Sequence, residues 1–107
     1  MEAVEIMQAT TPTLMLSLPI AIELDEVNLY FSMEQGSIKI EKTGDDIEIG
    51  DEDQYIYIPL SQRETMKFAP GSAKIQLNVT KENGKIRIGT YEAEVKILRN
   101  QIKRVLP

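Results

Sequence analysis

Apolar residues recur at every second position along most of this chain: Val4 and Ile6, Leu14, Leu16 and Leu18, Val27, Leu29, Phe31 and Met33, Ile38 and Ile40, Ile47 and Ile49, Ile56 and Ile58, and Ile75, Leu77 and Val79. A period of two puts these side chains on one face of an extended strand and the polar ones between them on the other. Short strands of this kind must bury their apolar face against another sheet. The pattern therefore predicts an all-β fold, an antiparallel β-sandwich of seven or eight strands with Greek-key connections. With 107 residues the chain forms a single domain, 1–107, able to bury a core without covalent staples.

Turn residues set the register between strands. A two-residue loop at Gln35-Gly36 predicts Met33 opposite Ile38 and Phe31 opposite Ile40. Asn83-Gly84 is the stronger signal, because a type I′ turn needs positive φ at both central residues, and these two tolerate it best. It pairs Glu82 with Lys85 and Val79 with Ile88. Beyond that turn the apolar parity changes, from Ile86 and Ile88 to Tyr91, Ala93, Val95 and Ile97. One extra residue at Gly89-Thr90, a β-bulge, restores it and sets Leu77 opposite Tyr91, Ile75 opposite Ala93 and Ala73 opposite Val95. Ser61, with Glu64 three residues on, predicts a capping box and one short helix, stopped before the next strand by Pro70-Gly71. Met66 and Phe68 then plug the end of the core.

The chain has no cysteine and no histidine, which removes disulfides, thiolate metal sites, and the usual metal ligand and neutral-pH proton carrier. A net charge of −5 repels a phosphate backbone, so nucleic acid is not an expected partner. Apolar runs are only a few residues long and the start, Met1-Glu2-Ala3-Val4-Glu5, is acidic. Neither a membrane span nor a signal peptide is expected, and the chain reads as a soluble protein made in the cytoplasm. Asn78-Val79-Thr80 matches the glycosylation pattern by chance, within a strand-like run. The stretch Asp45-Asp46-Ile47-Glu48-Ile49-Gly50-Asp51-Glu52-Asp53 invites a calcium reading, but Ile47 and Ile49 fall where a calcium loop needs oxygen ligands and a strand would bury them. Glycoside hydrolysis needs a carboxylate pair in a cleft with sugar platforms, and this chain has no tryptophan. Ser61 and Ser72 have no histidine partner. No catalytic residue, metal or cofactor is expected, and the chain does not read as an enzyme.

Binding is what remains. With Ile56 and Ile58 inside, Tyr55 and Tyr57 stand side by side on the outer face, and Tyr30, also of outward parity, joins them; tyrosine is enriched at interfaces. The C-terminal residues Arg99, Ile102, Lys103, Arg104, Val105 and Leu106 combine positive charge with apolar side chains, which predicts a partner-docking tail over 99–107. Residues 41–53 are as acidic as this end is basic, an asymmetry that favours head-to-tail contact between copies or with a neighbour.

In order along the chain stand Gln8-Ala9-Thr10-Thr11-Pro12-Thr13-Leu14, a leucine-alternating strand ending in Leu18-Pro19, Val27-Asn28-Leu29-Tyr30-Phe31-Ser32, Lys42-Thr43-Gly44-Asp45-Asp46, Leu60-Ser61-Gln62-Arg63-Glu64-Thr65-Met66-Lys67-Phe68, Lys74-Ile75-Gln76-Leu77-Asn78-Val79 and Val95-Lys96-Ile97-Leu98. Taken together in this order, these segments resemble a group of small proteins from the tail and baseplate regions of phages and prophages of Firmicutes. The likeness runs from Met7 to Leu106. It implies an immunoglobulin-like sandwich, similar in style to the N-terminal modules of upper-baseplate proteins. It further implies a structural or adaptor role in the virion, with other virion proteins and further copies of the chain as partners, and residence in the host cytoplasm before assembly. It supplies no catalytic residues. A second expectation, from a different class, is a carbohydrate-binding sandwich for attachment to a cell surface, against which the scarcity of aromatic residues counts.

Overall fold

A computed structural model describes residues 4–17, 27–50, 55–81 and 83–107, with 88–91 described for their backbone. Among these residues eight strands and one α-helix follow in order: β1 Val4–Met7, β2 Thr13–Ser17, β3 Asn28–Gln35, β4 Ile38–Thr43, β5 Glu48–Ile49, β6 Tyr55–Pro59, α1 Gln62–Met66, β7 Gly71–Lys81 and β8 Ile86–Leu98. They form a five-stranded sheet, β1-β8-β7-β3-β4, and a three-stranded sheet, β2-β6-β5. This is the strand order of an immunoglobulin-like sandwich. The alternating positions behave as their period requires: Phe31, Met33, Ile56, Ile58, Ile75, Leu77, Val79 and Val95 are at most 1% exposed and join one core. Leu18 lies outside the described residues.

The last hairpin follows its turn chemistry. Asn83 and Gly84 have φ of 55° and 85°, the pair of positive values that a type I′ turn demands. Val79 lies opposite Ile88, and the register shifts between Leu77 and Asn78 so that Leu77 meets Tyr91, Ile75 meets Ala93 and Ala73 meets Val95. The bulge falls where the parity change places it. The Glu82–Lys85 pair lies outside the described residues.

Three expectations are corrected. The β3–β4 loop is Gly36-Ser37, not Gln35-Gly36, so Met33 pairs with Ile40, Gln35 with Ile38 and Phe31 with Lys42. Gln35 stays in the strand because its side chain accepts from the Ala69 amide at 2.7 Å and donates to the Ala69 and Ser72 carbonyls at 2.9 and 3.2 Å. Second, the sandwich is not wholly antiparallel: β1 runs parallel to β8, from Val4 opposite Val95 to Met7 opposite Leu98. The Gln8 amide extends that ladder by donating to the Leu98 carbonyl at 2.9 Å. The chain then leaves the sheet at Ala9, whose φ of 59° is left-handed and costs roughly 1–2 kcal/mol for a residue with a Cβ. Third, Ile47 is buried but Ile49 is 49% exposed, because β5 is a two-residue strand at the sheet edge.

Helix α1 closes one end of the sandwich. The Ser61 hydroxyl accepts from the Glu64 amide at 3.2 Å, and the Glu64 carboxylate accepts from the Ser61 amide at 2.9 Å, completing the capping box. Phe68 is wholly buried beneath it, whereas Met66 is half-buried. Lys42 points inward from edge strand β4, a device that discourages strand addition there, and meets Glu64 at 2.8 Å with the two side chains 14% and 21% exposed. Burial works against the Glu64 carboxylate, but the bond to Lys42 and the capping bonds outweigh it and hold its pKa below the ordinary 4.5. A carboxylate depressed in the folded state stabilises the fold fully above its unfolded value and loses that contribution as pH falls through its folded one. Urea titrations are thus expected to show stability declining on acidification below about pH 4.5, the ordinary glutamate value. Glu64→Gln should flatten part of that decline, and an equally steep decline in the variant would assign it to other carboxylates.

Candidate functional site

The strand directions fix where the charged segments sit. Strand β7 starts beside α1 and runs to the Asn83-Gly84 hairpin; β3 and β8 run the other way, and β4 returns toward the hairpin. The chain leaves β8 at the α1 pole, so Arg99, Lys103 and Arg104 lie at that end, where α1 and its C-cap add Arg63 and Lys67; all five are exposed. The short 3-10 turn Gly44–Asp46, with Asp45 and Asp46, follows β4 two residues after Lys42, whose ammonium reaches Glu64 of α1, and Glu48 comes next in β5, opposite Tyr57. Eleven residues of β7 separate the α1 pole from the Asn83-Gly84 hairpin, about 35 Å of strand at roughly 3.3 Å per residue. Lys81 and Lys85 flank that hairpin.

Residues 99–107 form no helix or strand, yet they are tied to the body at two points. The Asn100 amide donates to Gln8 Oε1 at 3.2 Å and Asn100 Nδ2 donates to the Gln8 carbonyl at 2.9 Å. Farther on, the Leu106 amide donates to Gln62 Oε1 at 2.8 Å and Gln62 Nε2 donates to the Leu106 carbonyl at 3.0 Å. Gln62 thus holds the segment against α1 as a neighbouring strand would. Ile102, Val105 and Leu106 remain 50%, 41% and 42% exposed. The tail is a fixed surface in which apolar side chains stand among cations, rather than a free arm.

Gln8 is the pivot of this pole. Its side chain is 2% exposed, and Nε2 donates to the Phe68 carbonyl at 2.7 Å while Oε1 receives Asn100. Thr65, equally buried, donates to the Thr10 carbonyl at 2.8 Å. Both polar groups are therefore satisfied where water is excluded. Sequence reasoning did not find the Gln8–Asn100 and Gln62–Leu106 contacts, since neither pair has a local spacing signal.

The tyrosines divide between two surfaces. Tyr55 and Tyr57 are half-buried on the outer face of the small sheet, where Tyr57 lies between Met15 and Glu48 in register. A Cβ on Gly50 would come within 2.9 Å of the Tyr57 ring, so glycine there gives the ring its room. Tyr30, 42% exposed, projects from β3 on the outer face of the other sheet. It does not join Tyr55 and Tyr57, because outward parity on two stacked sheets points in opposite directions. Around Tyr30 the five-stranded sheet forms an open polar groove of about 700 Å³.

Among the described residues no three acidic side chains gather closely enough to hold a metal ion, and no helix is long and apolar enough to cross a membrane. Compared with models of known protein families and with curated proteins, the sequence matches none.

Proposed function

We propose that the protein is a non-enzymatic structural or adaptor component of a bacteriophage particle, associated with the tail or baseplate, that works by binding other proteins. The observation that carries the binding reading is the α1 pole, where Ile102, Val105 and Leu106 are exposed on a fixed backbone among five cations. Apolar side chains clustered in this way mark interaction surfaces. The order of segments from Met7 to Leu106 supports the particle context. The acids of the Gly44–Asp46 turn and the bases of residues 99–107 belong to different segments of the surface, so a second copy can present its acids to the bases of the first. Such a contact is heterologous, and it closes into a ring or continues as a stack.

Deleting residues 99–107 would also remove Asn100 and its bonds to Gln8, so the test uses side-chain substitutions. The wild-type chain is expected to self-associate with rising concentration in analytical ultracentrifugation. Added salt should weaken association only in part, since apolar contacts are not screened. Lys103→Glu with Arg104→Glu should abolish it at an unchanged melting temperature, and adding Asp45→Lys with Asp46→Lys should restore it. A chain that stays monomeric throughout, or a reversed pole that associates as the wild type does, would sink the head-to-tail contact. Mass spectrometry of purified particles from the host of origin tests the context, and particles lacking the protein would end that part of the proposal.

A further inference from the structure

The groove around Tyr30 lies on a surface distinct from the basic pole. Its floor is made by three cross-strand pairs of β3 and β7: Asn28 with Thr80, Tyr30 with Asn78, and Ser32 with Gln76. All six are uncharged in a chain of which 27% is charged, and the next pair along the same face is Glu34 with Lys74. A face kept merely soluble would carry charge here too. Strand β4 forms one wall, where Lys39 and Glu41 pair at 3.1 Å. The other wall is the β7–β8 hairpin, from which Arg87 Nε donates to Asn78 Oδ1 at 3.4 Å. The register shift between Leu77 and Asn78 is what lets that hairpin bend away from a flat sheet.

We propose that this groove is a saccharide-binding site. Amide and hydroxyl side chains each offer donors and acceptors together, as the hydroxyls of a sugar ring do, and Asn28, Gln76, Asn78, Ser32 and Thr80 set five such groups on one floor. Tyr30 supplies an aromatic surface for the apolar face of a ring, with its own hydroxyl as a polar tip. Lys39 and Glu41 neutralise one another, which favours an uncharged ligand over nucleic acid, whose phosphates require several unpaired cations. A protein partner would need apolar anchors at the centre, and Tyr30 is the single one on this floor. Four neighbouring strands at about 4.8 Å spacing make the groove long enough for a short oligosaccharide laid across them. The site does not depend on the particle assignment.

The test is an array of bacterial surface oligosaccharides probed with the full chain, followed by calorimetric titration of the strongest binder. At least one oligosaccharide should bind, and Tyr30→Ala and Asn78→Ala should each weaken it about tenfold, the scale of one lost stacking or hydrogen-bonding partner. Gln76→Ala serves as a second floor variant should Asn78→Ala lower the melting temperature. Lys103→Glu with Arg104→Glu, at the far pole, should leave saccharide affinity unchanged. No retention across the array at millimolar saccharide, or binding that survives all three floor substitutions, would overturn the proposal.

Discussion

Phe68→Ala is expected to lower unfolding free energy by about 3–5 kcal/mol, the usual cost of removing a buried phenyl ring and leaving the space it filled. Phe68 is fully buried, two residues beyond α1, where it joins the core between the two sheets. Its own carbonyl is held by Gln8 and the next residue, Ala69, by Gln35, so the backbone is anchored on both sides. Urea denaturation should show a lower midpoint at an unchanged slope. A loss below about 1 kcal/mol would mean that this end of the sandwich repacks more freely than its hydrogen bonds allow.

Gln8→Leu should cost about 2–4 kcal/mol even though the volume is nearly conserved, because a buried carbonyl and a part-buried amide lose their partners, at about 1–3 kcal/mol for each group left unsatisfied. Those groups are the Phe68 carbonyl and the Asn100 amide. Hydrogen exchange at residues 99–107 should accelerate in this variant, since Asn100 is one of the two points at which the segment is tied. The two substitutions share the Phe68 backbone and should not add; a double-mutant cycle that closes to within about 0.3 kcal/mol would show the sites to be independent. Unchanged exchange in the C-terminal segment would place its anchorage at Gln62 and at the Asn100 side-chain bond to the Gln8 main-chain carbonyl, which the substitution spares.

What could be read in advance depended on whether a local rule admitted one solution. Asn83-Gly84 did, because both residues must take positive φ, and the parity change after Ile88 then left a single place for the bulge. The β3–β4 hairpin admitted two. Either Gln35-Gly36 or Gly36-Ser37 sets Met33 opposite an isoleucine, Ile38 or Ile40, and the choice is made by Gln35 bonding to residues more than thirty positions away. Alternation says which face of a strand is buried but not which strand lies beside it, so the parallel neighbour of β1 and the separation of Tyr30 from Tyr55 and Tyr57 were beyond its reach. The groove had a partial signal, an uncharged run at the outward positions of β3 and β7, while its concavity comes from how the hairpin bends.

The parallel pairing of β1 with β8 also bears on how the domain carries load. The chain enters the ladder at Val4, opposite Val95, and leaves it from β8 at Leu98, opposite Met7, so entry and exit lie at opposite ends of the four pairs. Tension applied to the two ends of the chain therefore pulls these neighbours past one another lengthwise. The four register pairs of the ladder then resist together, where a strand peeled from its end would give up one bond at a time. The left-handed step at Ala9 lies directly behind this clamp, so force that breaks the ladder meets the buried Gln8 next. Mechanical resistance in this molecule is thus concentrated in its short parallel ladder rather than in its long central hairpin.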